Sequence, residues 1–180
     1  MLGPIVEGAR VLDLYAGSGA LGIESLSRGA VHATFVDRSP ASVAALRRNL
    51  DTLALSPRAR VMRCDAAGAL RRLGREGARF ELAFADPPYA AADVESTLAA
   101  LAALGLLEPG ATLVVERGRR HPLASIAGLA TIDERSYGDT VIVRLTPEAG
   151  GSVGNRPRGR ALRSVPARRA GREGHRQNHE

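Results

Sequence analysis

The chain has 180 residues, 44% of them hydrophobic, and a formal net charge of +6, which suits one folded domain and leaves too little chain for two. One cysteine, Cys64, excludes an internal disulfide and a cysteine-based zinc cluster. All 25 basic residues are arginine; residues 1–150 set 17 of them against 17 acidic residues, so the whole excess falls in residues 151–180. Arginine's planar fork suits phosphate, and a GC-rich coding bias gives the same preference. The opening MLGPIVEGAR lacks a basic segment followed by an apolar one, so no signal peptide is expected. The longest apolar run, Leu98–Leu107, is short of the ~20 residues a membrane span needs. A cytoplasmic monomer is expected.

From Arg10 to Leu145, short apolar runs alternate with helical patterns, the mark of an α/β fold with a parallel sheet. The predicted strands are Arg10–Tyr15, His32–Val36, Ala59–Arg63, Phe80–Ala85, Thr112–Glu116, Thr131–Tyr137 and Thr140–Leu145. Ser39 as N-cap and Pro40 at the first helical position open a helix marked by Val43, Leu46, Leu50 and Leu53. Val94, Leu98, Leu101 and Leu104 mark another. Gly138-Asp139 alone separates the last two strands, so the seven-stranded, mostly parallel sheet ends in an antiparallel hairpin, with helices on both faces. Residues 1–149 form the folded domain; residues 150–180, rich in Gly, Pro and Arg, read as a disordered basic tail.

The first strand runs into Tyr15-Ala16-Gly17-Ser18-Gly19, and Gly17, Gly19 and Gly22 satisfy the G-x-G-x-x-G pattern of a turn that brings backbone close to a nucleotide-type ligand. Asp37, twenty residues after Gly17, sits where a carboxylate accepts ribose hydroxyls. NAD and S-adenosylmethionine share this geometry. Asp13, four residues before Gly17, favours a cationic ligand over one that brings a pyrophosphate. Asp65, past the third strand, suits adenine's amino group and equally the N-cap of a helix over Ala66–Leu73. At the end of the fourth strand stand Asp86, Pro87, Pro88 and Tyr89. Two prolines hold an extended, donor-free backbone; Asp86 and a nearby carbonyl then accept both hydrogens of an exocyclic amine, and Tyr89 offers a face on which a flipped base stacks.

The runs VLDLYAGSGALGIESLSRGA, FVDRSP, FADPPY and YGDT resemble the bacterial 16S rRNA guanine-N2 methyltransferases, over about Ala9 to Leu145. The resemblance implies a Rossmann-like methyltransferase fold and S-adenosylmethionine as cofactor. The positions expected to hold it are Asp13, Tyr15, Ala16, Gly17, Ser18, Gly19, Asp37, Arg38, Asp65 and Asp86. Asp86, Pro87, Pro88 and Tyr89 would hold the target base, in 16S rRNA or a small-subunit assembly particle. Arg117, Arg119, Arg120 and Tyr137, near the same edge of the sheet, are expected at the RNA; a solvated loop explains the arginines as readily. Relative to that family, the chain is expected to lack an N-terminal segment with an Arg-Pro-Thr stretch. The alternatives from the sequence are an adenine-N6 DNA methyltransferase, a non-catalytic nucleic-acid-binding remnant and, third, a dehydrogenase.

Overall fold

A computed structural model describes residues 3–87 and 94–148. In chain order these form α1 (Gly3–Val6), β1 (Arg10–Asp13), α2 (Ala20–Ser27), β2 (His32–Val36), α3 (Pro40–Thr52), a 3-10 turn (Ser56–Arg58), β3 (Ala59–Met62), α4 (Ala66–Arg75), β4 (Phe80–Ala85), α5 (Val94–Ala103), β5 (Leu107–Gly118), β6 (Leu129–Tyr137) and β7 (Thr140–Pro147). Pro88, Tyr89 and the whole of the expected tail, residues 150–180, lie outside the described residues.

The seven described strands join one sheet in the order β3-β2-β1-β4-β5-β7-β6. β3, β2, β1, β4 and β5 are parallel, and β7 pairs antiparallel with both β5 and β6. The expected α/β architecture with a terminal hairpin is therefore the observed one. Because β6 runs the same way as β5, the Gly138-Asp139 turn returns to the carboxyl edge of the parallel strands. Arg119 N donates to Asp139 O there at 2.8 Å.

Side-chain alternation along each strand splits the core into two layers. Val11, Phe35, Leu82 and Phe84 meet Val6 of α1, Leu26 of α2 and Leu46 and Leu50 of α3. On the other face Leu12, Ala83, Leu113 and Val115 meet Leu70 and Leu73 of α4 and Leu98 and Leu101 of α5. Ser39 caps α3, its Oγ accepting Ser42 N–H at 3.3 Å, with Pro40 in the first turn as the sequence predicts.

Several boundaries differ from expectation, most by one or two residues. Leu53 and Leu104, the last members of their apolar series, fall past the ends of α3 and α5 and are 53% and 39% exposed. Periodicity alone does not see where the helical hydrogen bonds stop. β5 begins at Leu107 rather than Thr112: Leu107 pairs with Phe80, the register slips, and pairing resumes at Leu82 with Thr112. Glu108-Pro109-Gly110 in between looks like a turn in sequence.

α2 reaches the sheet because Gly22 has no side chain: a Cβ there would overlap the ring edge of Phe35 at Cε1, and Phe35 is itself fully buried. Gly22→Ala is expected to destabilise the fold by about 1 to 3 kcal/mol, the cost of overpacking, as read from urea denaturation. Unchanged stability would contradict the close approach.

Candidate functional site

β1 leads into the segment Leu14-Tyr15-Ala16-Gly17-Ser18-Gly19, which reverses the chain into α2. Gly17 and Gly19 adopt φ of 55° and 93°, the left-handed region that glycine enters at little cost. Past the end of β1 the backbone still bonds on both sides: Leu14 N donates to Phe84 O and Ala16 N to Val36 O, each at 3.0 Å. Ala16 is buried, Tyr15 is half-buried against the α4–α5 layer, and Ser18 is exposed, its carbonyl accepting Asn49 Nδ2 at 3.0 Å.

Gly19, the N-cap of α2, has no side chain with which to cap it. Asp13 does so from β1: its Oδ2 accepts Gly22 N–H at 3.1 Å. This carboxylate is 2% exposed. Burial raises it to about 7; the Gly22 hydrogen bond opposes the rise, and the charges of Asp86 and Asp37 add to it. Asp13, expected to face a cationic ligand, is buried beneath the glycine turn with one oxygen on Gly22 N–H.

Asp37 ties the glycine turn to the end of β2. Its Oδ2 accepts Gly17 N–H at 2.8 Å and its Oδ1 accepts Ser39 N–H at 2.7 Å. A carboxylate has about four acceptor positions, so capacity for hydroxyl donors remains. Arg38 follows it, exposed. Of the two readings of Asp65, the helix cap is the observed one: its Oδ1 accepts Gly68 N–H at 2.6 Å at the start of α4.

Register places a fourth carboxylate that the sequence did not single out. Asp13 is level with Phe35 on β2 and Phe84 on β4, and Phe84 is level with Val114 on β5. Two residues further along these three strands, on the same face, stand Asp37, Asp86 and Glu116. Partial burial raises the carboxyl of Asp86 above its usual range; burial and then the charge of Asp86 raise that of Glu116. Pro87 is buried behind Asp86.

The two ends of the sheet handle charge differently. At the amino end, Arg10 pairs with Glu81 at 2.6 Å and Glu108 at 3.0 Å. At the carboxyl end, among the described residues, no arginine or histidine forms an ion pair with Asp13, Asp37, Asp86 or Glu116. Arg119 and Arg120 are exposed beyond β5, and Tyr137 is exposed at the end of β6. Arg117 does not join them. Its side chain is 13% exposed and its Nη2 bonds Glu134 of β6 at 2.7 Å, so it braces the hairpin. No group of three or more His, Cys, Asp or Glu among the described residues has the geometry of a metal site.

The family model described as conserved hypothetical protein 95 matches residues 1–146. YlbH of Bacillus subtilis is 39% identical over 78% of this chain and 77% of its own length. Ribosomal RNA small subunit methyltransferase D of Escherichia coli (strain K12) is 33% identical over 80% of this chain and 71% of its own. A solved structure from Streptococcus pyogenes, described as a conserved hypothetical protein, superposes with a TM-score of 0.75 at 36% identity, over 82% of this chain and 91% of that one. The chain belongs to this family of small-subunit rRNA methyltransferases.

A carboxyl at 3.8 when unfolded and about 7 when folded holds its proton more tightly in the folded state between those values. Its ionisation therefore costs stability: the fold is unaffected below about pH 4 and loses stability as pH rises toward 7. Asp13→Asn keeps an oxygen for Gly22 N–H and removes the titration. Between about pH 5 and pH 8 the variant is expected to gain roughly 1 to 3 kcal/mol relative to the wild type in urea denaturation. Parallel profiles would show that Asp13 does not carry this charge cost.

Proposed function

We propose that the chain transfers a methyl group from S-adenosylmethionine to the exocyclic N2 amine of a guanine in 16S rRNA. The observation that carries this reading is an acidic sheet edge that no cation pairs among the described residues, beside a glycine turn, in a chain of this family. A pyrophosphate-bearing cofactor would meet four carboxylates there and be repelled. S-adenosylmethionine carries an ammonium and a sulfonium and no phosphate, and when bound it supplies a methyl carbon open to attack by an amine.

The fit follows from the donor set. Gly17 and Gly19 put no side chain at two positions of the turn, the free acceptor positions of Asp37 suit ribose hydroxyls, and Asp13 lends negative charge from below. Asp65 has one oxygen on Gly68 and a second for an adenine amino group. Asp86 accepts a hydrogen of the target amine, orients the nitrogen lone pair, and stabilises positive charge as it builds on that nitrogen. Pro87 has no N–H to compete for the carboxylate, and the amine's proton leaves to solvent past exposed Asp86. Pro88 and Tyr89 complete the base site in this reading, Tyr89 as a stacking face. Holding the two reactants in line is itself worth about 7 to 11 kcal/mol of barrier.

Arg119 and Arg120 meet RNA phosphates, which position the strand and carry no sequence information. The partner is 16S rRNA, free or in a small-subunit assembly particle, and the compartment is the cytoplasm. Among the described residues no helix is long and apolar enough to cross a membrane.

Asp86→Ala is expected to lower methyl transfer by about 10² to 10³, the scale for losing one charge-stabilising group, with S-adenosylmethionine affinity within a few-fold of wild type. Radiolabelled transfer to small-subunit RNA and calorimetry read the two quantities. Loss of both together would place Asp86 on the cofactor alone and defeat this assignment.

A further inference from the structure

Glu116 pairs with Ile142 through its backbone, but among the described residues its side chain makes no bond that holds the fold. Among the described residues no hydrogen-bond donor and no cation answers its carboxylate, while the next residue, Arg117, bonds across to Glu134. It is half-buried. Ala85 of β4 pairs with Val115 of β5, so Asp86 and Glu116 are the next residues on two adjacent parallel strands. Such strands lie about 4.8 Å apart, and side-chain alternation puts both carboxylates on the face of Phe84 and Val114. Burial and then the charge of Asp86 raise the carboxyl of Glu116, a cost that a ligand bringing donors to both carboxylates relieves.

We propose that Glu116 reads the target base, accepting the N1–H of guanine beside the amine that Asp86 accepts; this rests on the function proposed above. Guanine's pairing edge carries two adjacent donors, N1–H and the N2 amine. Adenine's carries an amine beside a bare N1 lone pair, which a carboxylate repels. A pair of carboxylates thus selects guanine over adenine, where one carboxylate on the amine alone would accept both. Glu116 is a specificity residue in this account and takes no proton in the transfer.

2-Aminopurine isolates the claim, since it keeps the amine at C2 and has no N1–H. The probe is a small-subunit RNA fragment that the wild type methylates, with the methylated guanine located by mass mapping and then replaced by 2-aminopurine. The wild type is expected to favour the guanine RNA in kcat/KM by roughly tenfold to a hundredfold, the scale of a good base contact. In Glu116→Gln the amide offers an oxygen to N1–H or an NH2 to a bare N1, and the preference is expected to fall to within about threefold. Differences in reactivity between the bases enter both enzymes and cancel, and partial misfolding scales both substrates alike. An unchanged preference in Glu116→Gln would assign N1–H to Asp86 and overturn the proposal. So would a lowered affinity for S-adenosylmethionine with the preference intact, which would move Glu116 to the cofactor. Failure of the wild type to methylate any guanine, with the cofactor bound, would remove the proposed function itself and this inference with it.

Discussion

The hydrogen bond from Gly22 N–H to the buried carboxylate of Asp13, at 3.1 Å, is the constraint from which the rest of the site is built. It ties the first strand to the third residue of the helix that follows, across a turn whose own cap residue is glycine. The bond forms because two side chains are missing or displaced. Gly22 lies against Phe35 with no room for a Cβ, and Gly19 is similarly crowded by Leu46 and Ile23. With α2 seated so close, the turn is stitched to both neighbours of β1, by Ala16 N on Val36 O and Leu14 N on Phe84 O. Asp37 then closes it from β2 through Gly17. The carboxyl ends of β2, β1 and β4 are thus fixed relative to one another by main-chain bonds. That rigidity suits a reaction whose catalysis is mostly positioning.

The same edge is where the chain gives up stability. Arg10 neutralises Glu81 and Glu108 at the amino end of the sheet, in an exposed cluster worth little beyond about 1 kcal/mol. At the carboxyl end, Asp13, Asp37, Asp86 and Glu116 face one another without such relief among the described residues. Local rules broken at one place and kept everywhere else mark a site shaped for a ligand. A cation bound there lowers the cost of ionising Asp13, Asp86 and Glu116, whose carboxyls are raised, so binding and the charge state of the buried Asp13 are coupled.

Much of this was legible in the sequence, for identifiable reasons. The strand-turn-helix at Asp13 to Gly22 carries its geometry in its composition, because the left-handed turn and the close helix both require glycine. Ser39-Pro40 writes the start of α3 in the same local way. What escaped reading depends on partners distant in sequence. Arg117 looks like an RNA contact until β6 brings Glu134 beside it. Asp65 reads equally as a helix cap or an adenine contact until Gly68 N–H at 2.6 Å shows that one of its oxygens is the cap. Glu116 is an ordinary acid at a strand end, and only the register of β4 on β5 makes it a neighbour of Asp86. The start of β5 was missed because a bulge built from Glu108-Pro109-Gly110 has the composition of a turn, with Gly110 at φ 80°.

The central claim is chemical, that an acidic sheet edge holds a cationic methyl donor beside a guanine amine. The most direct measurement is nucleoside mass spectrometry of small-subunit RNA after incubation with the purified chain and methyl-labelled S-adenosylmethionine. The account predicts label in N2-methylguanosine. Label in N6-methyladenosine, or none in RNA while S-adenosylmethionine binds, would contradict it.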